Sequence, residues 1–575
     1  MSSAKEPVTR RFGNGLTVLI KEDKSHPVVS LQYWVGTGSM NEGHWQGSGL
    51  SHLLEHLVFK GTAHFSGQEL ARKVQERGGH WNAYTSVNRT VYYIDGPAES
   101  WQIFLNLLTE LVFFPTFPED EMEREKEVVR REMAMYADDP DSVAYQLLMQ
   151  TLYLKHPCRW PVLGERAAFD CLTRQDVLDY HASRYVPNNV VLSIAGDVDA
   201  AEILSHLELL VEDLKSRPLN REPIPHEPHQ FGSRRVRKEF AVPYSKLHLA
   251  WRLPCSAHPD TPALSALSSI LGGGRSARFY EKFHDRLGLV YSIEVHSNQS
   301  ETDEGAFTIS MDVDRAQRDK VRDMVLQELR NLAEEDFTED LKRVCKQTRV
   351  SRLRRRSSAS GVASEMGADW FGSRNLNLSS EWQEAIERVT TEDLHRVCST
   401  WLSSPNVTEV SLDPPGSNAG DEERASASAG TALSEHVLGN GMKVVIREDH
   451  RLPLAYACMA FKAGCRAENE HDAGVTDLMS ECLLKGTSTR SAADIARFLE
   501  DIGGAINTST GNNSLSVGCQ VLAEDLDAGL ELMADVVMNP SFPEDAFLRE
   551  KESFVADAEE DMEDPLSCLL YTSPS

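Results

Sequence analysis

Gly47–Gly61 reads GSGLSHLLEHLVFKG. Leu50, Leu53, Leu54, Leu57 and Val58 recur at helical spacing and predict one buried stripe with a polar remainder. His52, Glu55 and His56 lie on the flank of that stripe. Residues four apart on a helix are neighbours, so the two imidazoles can converge on one point, and Glu55 faces the same side. Two neutral imidazole nitrogens suit a borderline-soft cation such as zinc. A carboxylate beside them can take a proton from an attacking water. A lone histidine on a helix is more often solvated than a ligand, so a second element has to complete the set.

That element is Pro118–Tyr136, PEDEMEREKEVVRREMAMY. Pro118 suits a helix start, and Glu119, Asp120 and Glu121 complement the positive helix end. Met122, Val129, Met133 and Tyr136 mark an inward stripe, and Glu125 and Glu132 fall on it. Carboxylates on a core-facing stripe are costly unless a cation or donor meets them. Either a buried ion pair with Arg or Lys, or a metal shared with His52 and His56, would meet them.

His-x-x-Glu-His, followed 76 positions after His56 by Glu132, resembles the pitrilysin-type (M16, inverzincin) zinc metallopeptidases in their long multi-domain form. The flanking GSGLSHLLEHLVFKGT and EREKEVVRREM resemble that family too. The resemblance implies that His52, His56 and Glu132 hold one zinc ion per chain and that Glu55 is the general base. Glu125 matches a second glutamate on the catalytic side, which supports the site. Three protein ligands leave a fourth position open, the arrangement of a catalytic zinc site. In HWNAYTSVNRTVYYI, residues 80–94, Asn82 and Ala83 match a strand edge that pairs with the substrate backbone. Read from its residue type alone, Asn82 is an ordinary edge or turn asparagine.

The implied fold is α+β: repeated pitrilysin/LuxS-like metallohydrolase domains, each a mostly antiparallel sheet packed against helices. The implied activity is zinc-dependent endopeptidase cleavage of peptides or unfolded polypeptide segments. Two rivals are a non-peptidase scaffold subunit and a processing-peptidase-like subunit working with a separate chain. Intact His52, Glu55, His56 and Glu132 argue against the first. The repeat described below, fused in the same chain, argues against the second.

The chain has 575 residues, enough for several domains. Its 41% hydrophobic and 26% charged residues are those of a soluble globular protein. A net charge of −29 argues against nucleic acid as a partner and favours neutral or basic peptides. Ten scattered cysteines without a Cys-x-x-Cys pair read as reduced thiols. MSSAKEPVTRRFGNG carries no apolar signal region, and no apolar run is long enough to span a membrane, so a cytoplasmic location is expected.

The expected order is a catalytic domain over 1–216, a Pro-rich linker over 217–233, a non-catalytic second domain over 234–412 and a flexible linker over 413–434. Phe12–Val35 reads as a hairpin, with Gly13–Asn14–Gly15 as the turn and LTVLI and VVSLQYWV as strands. His226 and His229 are read as solvated linker residues. Gly272–Gly274 is not a nucleotide loop, since no Gly-Lys-Ser/Thr follows. In LGGGRSARFYEKFHDRLGLVYSI, Tyr291 matches a substrate-contacting tyrosine of the family, but His284 stands where the partner arginine is expected. RVSRLRRR, residues 349–356, reads as a solvated helix face.

After the second linker the chain starts over. LGNGMKVVIRED repeats FGNGLTVLIKED, GVTDLMSECLLKGT repeats GLSHLLEHLVFKGT, and NPSFPEDAFLREKE repeats FPTFPEDEMEREKE. Gly474 against Gly49 and Glu550 against Glu125 share one offset of 425. At that offset His52, Glu55 and His56 become Asp477, Ser480 and Glu481, and Glu132 becomes Asp557. Residues 435–567 therefore read as a degenerate, truncated copy of the first domain. Residues 568–575 read as a non-native tail. The chain is accordingly expected to lack the rest of its own C-terminal half and to be capable of oligomerising.

Overall fold

The computed structural model describes residues 6–219, 223–298, 305–402, 405–415, 434–446 and 454–551, apart from 465, 467, 469–473, 503 and 512. Asp557, the tail at 568–575 and most of the expected 413–434 linker lie outside them. The chain divides into two compact units, Met1–Glu423 and Arg424–Ser575.

The first unit opens with β1 (Val8–Arg11), β2 (Thr17–Glu22), β3 (Val28–Val35), β4 (His80–Thr85), β5 (Thr90–Pro97) and β6 (Val190–Gly196), ordered β1-β2-β6-β3-β5-β4. Only β2 and β6 run parallel. Gly13–Asn14–Gly15 does close a hairpin, but between β1 and β2. The expected pairing of LTVLI with VVSLQYWV is not made, because β6 lies between them. VVLSIAG is buried along its whole length and needs a neighbour on each side, whereas β1 is exposed throughout and can serve only as an edge.

Helices α1 (Leu50–Val58), α2 (Gly67–Gln75), α3 (Trp101–Phe113), α4 (Glu119–Asp138), α5 (Pro140–Leu152), α6 (Arg166–Asp170), α7 (Arg174–Arg184) and α8 (Ala200–Leu210) belong to this half. Leu50, Leu53, Leu54, Leu57 and Val58 are wholly buried, as their spacing requires. The inward stripe of α4 ends earlier than expected. Met122 and Val129 are buried and Met133 packs at the edge of the core, but Tyr136 is 49% exposed. Asp139 ends α4 and caps α5, accepting the Ser142 N–H at 2.9 Å, with Pro140 in the first helical position.

The second half of the unit repeats the plan. Strands β7 (Arg234–Glu239), β8 (Ser245–Leu253), β9 (Val290–Asn298), β10 (Gly305–Val313) and β11 (Thr408–Asp413) are ordered β7-β11-β8-β10-β9, with β7 and β11 parallel. Strand for strand this is the first sheet without β1. Its helices are α9 (Thr261–Gly272), α10 (Arg318–Asn331), α11 (Thr338–Arg355), α12 (Ala359–Ser373), α13 (Leu378–Glu387) and α14 (Thr391–Val397).

Each half lends the other a helix. Val362, Ala363 and Met366 of α12 pack on Leu19, Trp34, Val91 and Val191 of the first sheet. A Cβ on Gly367 would lie 2.3 Å from the Trp34 indole, so the closeness of this contact requires glycine. In return Leu148 and Leu152 of α5 cover Ala250, Ala306 and Val410 of the second sheet. The Lys246 ammonium reaches Asp141 at 2.6 Å across the same junction. The basic run at the end of α11 is only partly solvated: Arg352 and Arg356 both pair with the buried Glu365 of α12.

In the second unit, β12 (Ser434–Val437) and β13 (Lys443–Ile446) form a hairpin. Strands β14 (Leu454–Lys462), β15 (Ala505–Thr510) and β16 (Ser514–Leu522) are ordered β14-β16-β15, the arrangement of β3-β5-β4. Helices α15 (Val475–Leu483), α16 (Ala492–Asp501) and α17 (Leu526–Met538) accompany them. No helix among the described residues is long and apolar enough to cross a membrane.

Candidate metal centre

Helix α1 starts where only glycine fits. Gly49 has φ 72°, and a Cβ there would lie 2.0 Å from the Leu163 carbonyl oxygen. Glycine offers no capping side chain, so Glu42 serves from outside the helix, its Oε1 accepting the Ser51 N–H at 2.8 Å. Glu42 is fully buried, and burial pushes its carboxyl up to about 8.

The apolar stripe of α1 seats it so that His52 and His56 face α4. His52 Nε2 lies 3.8 Å and His56 Nε2 3.9 Å from the same oxygen, Glu132 Oε2. One donor atom from each residue falls within 4.8 Å of the others, and among the described residues no second group of His, Cys, Asp or Glu meets that condition. Burial, and then the neighbouring His56, pushes His52 down to about 4, so its imidazole is neutral at ordinary pH. Zinc bonds of about 2.0–2.1 Å in tetrahedral geometry hold donors about 3.3 Å apart. A small inward closure of these side chains would therefore accommodate the ion, and the donor set fits it.

Around this trio stand four further groups. Glu55, on the same helix, accepts a 2.5 Å hydrogen bond from the Thr85 hydroxyl of β4. Burial raises the Glu55 carboxyl, partly offset by that hydrogen bond and by His56, while Glu132 adds to the rise. Glu125 lies behind His56, its Oε2 3.1 Å from Nδ1, and its Oε1 meets Lys60 Nζ at 2.7 Å. Burial opposes ionisation of Glu125, but His56 and Lys60 outweigh it and hold its carboxyl below the usual range. Burial alone would lower His56, but Glu125, Glu55 and Glu132 together shift it upward.

The structure thus gathers His52, His56 and Glu132, with Glu55 and Glu125 at their side. Glu125 touches the trio only through His56. Asn82 and Ala83 lie on β4, the outer strand of the sheet, where Asn82 Oδ1 accepts the Ala83 N–H at 2.8 Å. Thr85 on the same strand reaches Glu55, so this edge runs beside the trio. Lys60, Thr85 and Glu42 escaped the reading of the sequence. Lys60 and Thr85 had a signal: both recur at the repeat offset, as Lys485 and Thr510.

The chain matches the model of the insulinase family (peptidase family M16) over residues 17–166 and again over 443–570. The model of the peptidase M16 inactive domain matches residues 172–347. A zinc protease of Mycobacterium tuberculosis, Rv2782c, is 30% identical over 299 residues, covering 51% of this chain and 67% of that protein. Zinc protease YmxG of Bacillus subtilis is 27% identical over 385 residues, 67% of this chain and 92% of that protein. Both relatives are described as uncharacterized. The crystal structure of a protease from Helicobacter pylori superimposes with a TM-score of 0.65 at 26% identity, covering 71% of this chain and all of that one. A peptidase M16 inactive domain structure from Pseudomonas fluorescens has the same TM-score at 21% identity and shares the fold.

This chain belongs to peptidase family M16. Its relatives carry the name zinc protease, and it has the mixed α and β architecture of the solved members.

Proposed function

We propose that the chain is a zinc-dependent endopeptidase of the pitrilysin (inverzincin) type that hydrolyses peptides or unfolded polypeptide segments. One observation carries this reading: two imidazole nitrogens and a carboxylate oxygen converge within 4.8 Å, with Glu55 beside them. His52, His56 and Glu132 would hold the zinc ion, which when bound supplies Lewis acidity to polarise a scissile carbonyl and acidify a water. Glu55 accepts the proton of the attacking water and returns it to the leaving nitrogen. Its partly buried position favours that exchange, because a raised carboxyl is a better proton acceptor than a fully solvated one. The Thr85 hydroxyl fixes which way the Glu55 carboxylate points. Glu125 fixes the His56 ring.

The free edge of β4 would bind the peptide as an added strand. A substrate carbonyl would take the Ala83 N–H from Asn82 Oδ1, and the freed Asn82 amide could then bind the peptide. Main-chain pairing of this kind makes little demand on sequence and excludes folded segments, which have no free strand to offer.

The test is zinc content and cleavage of an unfolded polypeptide by wild type and Glu55→Gln. Glu55→Gln should keep its zinc and lose turnover by about a thousandfold. Equal cleavage by the two proteins would remove Glu55 from the reaction.

A further inference from the structure

We propose that Lys60 is a positioning residue for the metal centre, acting on His56 through Glu125; this rests on the zinc reading above. The contacts run in a line. Lys60 Nζ holds Glu125 Oε1 at 2.7 Å, and Glu125 Oε2 meets His56 Nδ1 at 3.1 Å. An ionised carboxylate only accepts hydrogen bonds, so Nδ1 carries the proton and the Nε2 lone pair is left to face Glu132. His52 has no such support: its Nδ1 is buried and meets no hydrogen-bond partner among the described residues. Orientation of the donor pair therefore depends heavily on the His56 side.

Charge points the same way. Glu55, Glu125 and Glu132 bring three carboxyls to a partly buried site, and Glu125 is the one that meets the Lys60 ammonium. Without Lys60, Glu125 would be a buried carboxyl with Oε1 unpaired, free to turn away from His56.

The second unit separates this role from mere architecture. Lys485 and Glu550, at the same offset of 425, form the same ion pair at 2.7 Å. There the position of His56 is held by Glu481, so no imidazole is oriented. The pair thus ties the chain just past α1 or α15 to the helix that carries the glutamate in each copy, and the first copy also uses it to aim a ligand.

The experiment measures zinc affinity of the full chain by competition with a chromophoric chelator, for wild type, Lys60→Met, Lys60→Arg and Lys485→Met, with apo-protein melting as a check of folding. Lys60→Met should weaken zinc binding by about 10–100-fold. Its turnover should return at saturating zinc. Lys60→Arg should recover most of the loss, and Lys485→Met should leave zinc affinity unchanged. If Lys60→Met does not fold, Lys60→Gln, which keeps a donor without the charge, replaces it with the same expectation. Affinity within about twofold of wild type, or an equal loss in Lys485→Met, overturns the proposal. A wild-type chain that binds no zinc is a different result, and sinks the metal reading beneath it.

Discussion

Helices α1 and α15 hold the same place in two copies of one fold, and their surroundings are alike to the level of single contacts. Lys60–Glu125 and Lys485–Glu550 are the same ion pair. The Thr85 hydroxyl donates to Glu55 on α1; the Thr510 hydroxyl also donates to the facing helix, but to Asp477, which stands at the position of His52. Glu42 receives the Ser51 N–H, and Glu468 the Thr476 N–H, both at 2.8 Å. What differs is the set of groups that can carry chemistry: His52, Glu55 and His56 against Asp477, Ser480 and Glu481. The scaffold of the site and its reactive groups are therefore separable. The contacts that seat the helix persist where the imidazoles have gone.

Four experiments break or sharpen that comparison. The largest effect is expected from His52→Ala set against Asp477→Ala. Wild type and Asp477→Ala should each hold one zinc per chain and cleave peptide equally, whereas His52→Ala should lose both metal and cleavage, read by elemental analysis and turnover. Next is Glu55→Gln against Ser480→Ala. The first should lower turnover by about a thousandfold with zinc retained, and the second should change neither. Third, Thr85→Val should slow cleavage by about tenfold, the worth of one hydrogen bond to a charged group, while Thr510→Val leaves the rate alone.

The fourth experiment concerns the two caps, which carry opposite signs with pH. Burial raises Glu42, so its contribution to stability is full below the ordinary carboxyl range and is lost as pH rises through about 8. Glu468 is lowered by hydrogen bonds from the Thr476 hydroxyl and the Gly474 and Thr476 N–H groups, so its contribution is present above the ordinary range and lost on acidification. Glu42→Gln should therefore gain stability relative to wild type between pH 5 and 8, on the order of a few kcal/mol at the upper end. Glu468→Gln should be destabilising at neutral pH and neutral in acid. Thermal melts across pH check both, and parallel trends would dissolve the contrast.

Much of the site was legible because it is local. Five apolar residues at helical spacing placed α1, and the same spacing put His52 and His56 on one face. The 425-residue offset, read from three motifs, located the degenerate copy. Glu125 and Glu132 stood out as carboxylates on an apolar stripe; Glu125 pairs with a lysine, and Glu132 faces the imidazoles. What escaped depends on contacts distant in sequence. The insertion of β6 between β2 and β3 is set by burial on both sides, which a strand's own residues signal only weakly. Tyr136 continues the period of its stripe past the point where the core ends. The cap from Glu42 and the hydroxyl of Thr85 come from loop and strand positions with no periodic signature.

The exchange of α5 and α12 between the two sheets has a consequence for how such a chain can be cut or inherited. Severing it between residues 216 and 234 would strip α12 from Trp34, Val91 and Val191 and bare them to water. The complementary piece would lose the cover of Ala250 and Val410. Either half expressed alone should therefore expose apolar surface and aggregate, an outcome that the solubility of each fragment would check.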